Sequence, residues 1–314
     1  MDKKQEHILV IRAGALGDLV FCFQSFAAIR AAHPHARIAL LTRAPFVAFA
    51  QTMPWFDTVI TDTKPTMAQP AGWLRLMREI KRFAPTRIYD LQGKTRQNII
   101  YALLGGPLGP DWSGAAPLCK FPRPWPPKPG MHFTDFLAAQ LRAAGVPDAA
   151  PADLGWLDAP VGQFALPPRY AVLIPGCSPG AEFKRWPAEK YAELANFLHA
   201  RDLPCVIVGG KADEDAAAQI KKSAPALDLC GKTSLHELAG ILRGTACVIG
   251  NDTGPTHMAG TLGAPTLALF SGRGRTEWSH PPGPRVATRQ SDILADLSVG
   301  EVAAAADALL DAGK

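Results

Sequence analysis

Several features are scarce or missing in this 314-residue chain. No uninterrupted apolar run reaches the roughly 18 residues that a membrane-spanning helix needs, so a membrane span is not expected. The opening residues, Met1-Asp2-Lys3-Lys4-Gln5-Glu6-His7, lead into a short strand-like run, not into the apolar core of a signal peptide, which points to a cytoplasmic protein. The six cysteines (Cys22, Cys119, Cys177, Cys205, Cys230, Cys247) are dispersed without any Cys-x-x-Cys spacing. Most lie in or beside apolar runs, so buried reduced thiols are expected in place of disulfides or zinc ligands. No Gly-x-Gly-x-x-Gly follows a strand, and no glycine loop ends in Gly-Lys-Ser/Thr, which removes the dinucleotide fingerprint and the P-loop. Charged residues make up only 19% of the chain, with a net charge of +5 and a pI near 8.9. That balance suits an anionic partner or membrane surface but is too mild to argue for nucleic acid.

What is present is alternation. The length favours two domains of about 150 residues each. In the first half, strand patterns at 7–12, 37–42, 57–61 and 87–91 alternate with helical patterns at 18–32, 46–52, 72–83 and 95–104. Short β-branched runs separated by helices predict parallel βαβ units. Between Gly105 and Gly130 eight prolines exclude a regular element and predict a surface connection or a binding loop. A helix at 134–144 and a second Pro- and Ala-rich linker follow. Alternation restarts with strands at 170–175, 205–208, 227–230, 246–250 and 265–270, and helices at 187–200, 213–222, 234–243 and 299–310. The expected fold class is α/β, with two Rossmann-like domains at 1–158 and 159–314 facing across a cleft, where ligands bind at strand carboxyl ends.

Three loops carry the chemistry. Arg12-Ala13-Gly14-Ala15-Leu16-Gly17-Asp18 follows the first strand and places Asp18 in the first turn of a helix. There the carboxylate either stabilises the helix dipole or acts as a general base. Pro175-Gly176-Cys177-Ser178-Pro179-Gly180 leads through Lys184-Arg185-Trp186-Pro187 into a helix, an arrangement suited to a pyrophosphate, with N–H groups on one side and an ammonium on the other. The third loop, Asn251-Asp252-Thr253-Gly254-Pro255-Thr256-His257, ends an apolar strand and starts a helix. It reads equally as a capped helix, with Asp252 or Thr253 at the N-cap, or as a site for a phosphate and a polyol. A fourth loop, Gly209-Gly210-Lys211-Ala212-Asp213-Glu214-Asp215, has an Asp-x-Asp, but carboxylates in a first helical turn are common and no metal is expected there.

Taken together these loops resemble glycosyltransferase family nine, the ADP-heptose:lipopolysaccharide heptosyltransferases. The resemblance runs nearly end to end. It rests on Ile11-Arg12 to Gly17-Asp18, Asp90-Leu91-Gln92-Gly93, His132-Phe133-Thr134-Asp135, Lys184-Arg185-Trp186-Pro187, Gly209-Gly210 and Asn251 to His257. It implies a GT-B fold, with the acceptor on the N-terminal domain and the nucleotide sugar on the C-terminal one. It also implies inversion at the anomeric carbon, with no metal and no cofactor. Asp18 would be the base and Lys184 would neutralise the departing ADP. Gly176, Ser178, Gly210, Asp252, Thr253, Gly254 and His257 would bind the donor, Asp252 holding sugar hydroxyls. Arg12, Gly17, Gln92, Lys94 and Arg96, with Arg123, would face the acceptor. Only Ser178 stands where the family places several hydroxyls, and the family's ribose-binding acid has no single counterpart, Asp213 and Glu214 both lying near its place.

The implied partners are an ADP-sugar donor and a lipid-linked anionic saccharide (Kdo or heptose on lipid A), without nucleic acid. The implied place is the cytoplasm, with room for peripheral association at the inner membrane. The rival readings are a nucleotide-sugar epimerase or hydrolase on the same fold, a transferase using a different donor or acceptor, and a non-catalytic nucleotide-sugar-binding protein.

Overall fold

A computed structural model describes residues 5–178 and 180–312. Pro179 of the second glycine loop, Met1 to Lys4 and the last two residues lie outside the described part. The chain divides into two compact units, Met1–Trp156 and Leu157–Lys314.

The N-terminal unit runs β1 (His7–Ile11), α1 (Leu16–Val20), α2 (Phe23–Ala32), β2 (Arg37–Arg43), α3 (Val47–Ala50), β3 (Thr58–Asp62), α4 (Pro70–Phe83), β4 (Arg87–Asp90), α5 (Thr95–Leu103), β5 (Asp111–Gly114), β6 (Phe121–Pro122) and α6 (Phe133–Ala143). Its strands form one parallel sheet in the order β3-β2-β1-β4-β5-β6. Ile8 to Ile11 are wholly buried, as expected for a central strand covered on both faces. On one face the apolar stripe of α4 (Trp73, Leu76, Met77, Ile80, Phe83) packs with Ile100 and Tyr101 of α5 against Leu9, Ile11, Ala39 and Leu41.

The C-terminal unit runs β7 (Ala171–Ile174), α7 (Ala188–His199), β8 (Cys205–Ile207), α8 (Glu214–Ser223), β9 (Ala226–Asp228), α9 (Leu235–Arg243), β10 (Cys247–Asn251), α10 (Gly254–Thr261), β11 (Thr266–Ser271), α11 (Thr276–Ser279), β12 (Val286–Ser291) and α12 (Val299–Asp311). Its parallel sheet has the order β9-β8-β7-β10-β11-β12, the same winding as the first. In each unit the chain reverses strand order beside the first strand. The loop after β1 therefore lies next to the loop after β4, and the loop after β7 next to the loops after β8 and β10.

Three expectations need correcting. The Pro-rich 105–130 segment contains two strands: Trp112 and Ser113 of β5 are buried, and Pro122 lies in the edge strand β6, where a missing N–H costs little. The helix expected over 18–32 is broken after Val20 into α1 and α2, with Cys22 as the N-cap of the second. Pro187 is not the first helical residue of α7 but its N-cap. Expected elements otherwise match to within a few residues, but α11 and β12 were not anticipated. All six cysteines are buried and free. Burial pushes the Cys22 thiol up to about 11 and Cys247 up to about 12, so neither is a reactive thiolate at neutral pH.

Candidate active site

In the C-terminal unit the site is built on Asn251, the last residue of β10. Its side chain is fully buried, and every polar atom on it is used. Oδ1 accepts from the Trp186 backbone N–H (3.2 Å) and the Tyr191 hydroxyl (3.1 Å), while Nδ2 donates to the carbonyls of Pro175 (2.8 Å) and Gly176 (3.2 Å). One side chain therefore joins the loop after β7, the Lys-x-Trp-Pro segment and the end of β10. Trp186 is itself anchored: its ring packs edge-on to Tyr191 with centroids 4.8 Å apart, and its indole N–H donates to the Leu297 carbonyl at 2.9 Å. Gly250 is needed just before Asn251, because a methyl there would overlap Thr256 and press on Ile174 of the neighbouring strand.

With these loops fixed, Lys184 reaches Asp252. Lys184 Nζ is 2.6 Å from one carboxylate oxygen of Asp252, and His257 Nε2 is 3.0 Å from the other. Burial alone raises the Asp252 carboxyl, but His257 and Lys184 outweigh it and hold the group below its ordinary value. Asp252 is therefore not the cap of the following helix: its oxygens serve the Lys184 and His257 side chains. Thr253 occupies the N-cap position of α10, yet its side chain makes no capping bond, and Pro255 lies in the first turn. Gly254 is the first helical residue, and His257 is one turn in.

The remaining predicted donor residues are spread around this pair. Asp213 lies against Gly176 and Gly209, where a methyl on either glycine would overlap its carboxylate, and it accepts from the Gly210 N–H at 2.9 Å. Burial raises the Asp213 carboxyl. Glu214 instead faces Gly231, so of the two acids only Asp213 adjoins Gly176. Ser178 is exposed.

In the N-terminal unit Arg12 is buried and donates in three directions: to the Leu91 carbonyl (2.6 Å), to the Asp18 carbonyl (2.9 Å) and to the Asp18 carboxylate (2.6 Å). The other Asp18 oxygen accepts the Ala15 N–H at 2.8 Å. The tight turn needs Gly14, since a methyl there would overlap the Asp18 carboxylate. Gly17 is buried in α1. Gln92 Oε1 accepts from the Ala13 N–H at 3.0 Å, which joins the loops after β1 and β4. Below them Arg123 donates to the Asp90 carbonyl (2.7 Å) and to Gln140. Lys94 is the exposed N-cap of α5. Arg96 is held away by a bidentate pair with buried Asp62 (2.6 and 2.8 Å) and stacks 4.9 Å over Trp73. Asp18, Arg12 and Gln92 are thus brought together, while Arg96 is occupied elsewhere.

Sequence reasoning had Asn251 and Asp90 only as parts of motifs and Arg123 only as an acceptor candidate, and it missed Gln140 and the hydrogen bonds by which these residues join the loops. The available signal was a polar residue ending an apolar strand, which in a buried position must be fully hydrogen-bonded. Among the described residues no three His, Cys, Asp or Glu side chains are grouped as a metal-binding set.

The sequence profile of glycosyltransferase family 9 (heptosyltransferase) matches residues 73–295, well over half of the chain. The lipooligosaccharide heptosyltransferase 2 of Haemophilus influenzae is 34% identical over 106 residues, a stretch covering 31% of each protein. The chain is therefore aligned to about a third of that relative's length. Two solved structures share the fold along nearly their whole length. A family 9 glycosyl transferase from Veillonella parvula has a TM-score of 0.79 at 20% identity, covering 99% of both chains. The ADP-heptose lps heptosyltransferase II of E. coli has a TM-score of 0.75 at 21% identity, covering 98% of this chain and 99% of its own. The two Rossmann-like units are accordingly those of a GT-B fold, and the chain belongs to glycosyltransferase family 9, the heptosyltransferases.

Proposed function

We propose that the protein is an inverting, metal-independent heptosyltransferase that moves a heptose from ADP-heptose to an anionic lipopolysaccharide inner-core acceptor, Kdo or heptose on lipid A. The observation that carries this reading is the Lys184–Asp252–His257 cluster at the ends of β7 and β10, inside the span matched to the family. On this reading Asp18 takes the proton of the acceptor hydroxyl, the freed oxygen forms the new bond at the anomeric carbon, and the bond to ADP breaks on the opposite side. Lys184 meets the negative charge that grows on the leaving diphosphate, the task a divalent cation performs in other phosphate-releasing sites. Thr253, Gly254 and His257 contact the diphosphate at the start of α10, Asp252 holds sugar hydroxyls, and Asp213, which adjoins Gly176, binds the ribose on this reading. Ser178, Gly176 and Gly210 complete the donor loop set. Arg12 orients Asp18, and Gln92 and Lys94 remain for the acceptor.

The test is turnover of ADP-heptose with a lipid A-linked core acceptor. Product is expected only when the acceptor is present, at a rate that EDTA leaves unchanged. Consumption of the nucleotide sugar without acceptor would favour an epimerase or hydrolase, and a strict magnesium requirement would overturn the role of Lys184. A thermal-shift panel in which ADP stabilises more than UDP, GDP and NAD supports the donor class.

A further inference from the structure

The two units differ sharply in charge. Residues 1–156 hold 18 Lys and Arg against 11 Asp and Glu, a net +7, whereas 157–314 hold 15 against 17, a net −2. The N-terminal unit also carries six of the eight large hydrophobic side chains exposed among the described residues: Met67, Leu74, Leu103, Leu108, Leu118 and Trp125. Leu108 is 96% and Leu118 86% exposed. Apolar groups this open, placed on the basic unit, ask for a partner.

Most of these features share one layer. α4 and α5 cover the same face of the first sheet, and Ala116 and Cys119 pack into the core beneath them. The outer side of α4 presents Leu74 with Arg75, Arg78, Lys81 and Arg82. Glu79 is the acid among them, and among the described residues none of the four cations forms an ion pair within the unit. Beyond α4, residues 97–110 and 112–119 contain no charged side chain at all. Leu103 ends α5, Leu108 projects from the turn after it, and the Leu118 carbonyl accepts the Tyr101 hydroxyl at 3.2 Å, which ties its turn to α5. Asp111, at the near edge, is neutralised by Lys120 and Arg87. On the other side of α4 a groove of about 650 Å³ lies along the free edge of β3, and its charged lining is Arg37, Arg75, Arg82 and Glu79.

We infer that this layer, formed by α4, the end of α5 and the 104–119 segment, docks the protein on an anionic lipid bilayer. The apolar side chains enter the headgroup boundary, and the cations of α4 and of the β3-edge groove meet lipid phosphates. A basic amphipathic face beside protruding leucines is the arrangement that interfacial binding requires. A symmetric pairing of two copies through this layer would set the cations of one α4 against those of the other, which disfavours that occupant. The inference rests on the proposed lipid-linked acceptor, because a bound bilayer keeps such an acceptor within reach.

The test is co-sedimentation of the full chain with phosphatidylglycerol and phosphatidylcholine vesicles, without donor or acceptor. Binding to phosphatidylglycerol is expected to exceed binding to phosphatidylcholine at least tenfold and to fall with added salt. Each surface cation should contribute about fivefold, so Arg75→Glu/Arg78→Glu/Arg82→Glu should weaken binding by roughly a hundredfold. Leu108→Asp/Leu118→Asp should weaken it by at least about tenfold. Both variants alter exposed positions and should keep the wild-type melting temperature and ADP affinity. Equal binding to the two lipids, no binding, or unchanged binding by both variants overturns the inference. So does a concentration-dependent dimer that Leu118→Asp abolishes, which assigns the layer to a second copy. If vesicles are bound but ADP is not, the functional reading fails and the docking surface stands; the reverse result separates the two the other way.

Discussion

Each unit places an aspartate beside a cation at the end of its switch-point strands, and the two pairs are built the opposite way round. In the N-terminal unit Arg12 is the hidden partner, with a side chain 3% exposed, and Asp18 is the open one at 41%. In the C-terminal unit Asp252 is hidden at 6% and Lys184 is the more open at 28%. The first pair is local, six residues apart on one loop; the second joins segments 68 residues apart. The same winding of sheet and helix thus presents a carboxylate from one unit and an ammonium from the other. A carboxylate reachable from solvent is what a proton acceptor needs, and a reachable cation is what a diphosphate needs.

The sharpest way to break this division is Asp18→Asn. Turnover should fall by about 10²–10⁴-fold, the usual worth of a general base, while the Arg12 side and the fold persist; near-normal turnover would remove Asp18 from the chemistry. Next is Lys184→Ala, which should weaken ADP binding by roughly 10–100-fold, the scale of a lost hydrogen bond to a charged group. Asn251→Leu attacks the scaffold behind the second pair. It orphans the Trp186 N–H and the Pro175 and Gly176 carbonyls, while the Tyr191 hydroxyl keeps the Ile174 carbonyl at 3.1 Å, so a loss of several kcal/mol in unfolding experiments is expected at about 1–3 kcal/mol per buried orphan. ADP affinity should fall with it, because the loop carrying Lys184 is no longer pinned. A variant as stable as wild type would contradict that role.

The smallest effect is on pH dependence. Asp252 lies below its ordinary value of 3.8 in the folded protein, so its contribution to stability is present above that value and is lost as pH falls through the folded one. Melting temperatures followed from about pH 5 to about pH 2 should therefore drop less steeply in Asp252→Asn than in wild type. Parallel curves would mean that the pair contributes nothing to acid stability.

Much of the architecture was legible because parallel strands buried on both faces leave short β-branched runs, and the crossover helices leave 3.6-residue periodicity. What escaped were elements whose sequence signal was masked. Prolines surround β5 and β6, yet they fall between the pairing residues or on the edge strand. Val286–Ser291 alternates only weakly, follows Pro281, Pro282 and Pro284, and lies on an edge with no fully buried residue. The site was legible as a set of loops but not as a set of contacts. Nothing near Arg96 in sequence announces that Asp62, 34 residues earlier, takes its guanidinium. Likewise Lys184 and Asp252 are each visible as candidate groups, but only the β7–β10 pairing makes them neighbours.

The most direct measurement is calorimetric titration of ADP into the wild type, Asp18→Asn and Lys184→Ala proteins. ADP affinity should be unchanged, within about twofold, in Asp18→Asn and reduced by roughly 10–100-fold in Lys184→Ala. Equal affinities for wild type and Lys184→Ala, or a loss confined to Asp18→Asn, would contradict the assignment of the cation to the diphosphate and of the carboxylate to the proton.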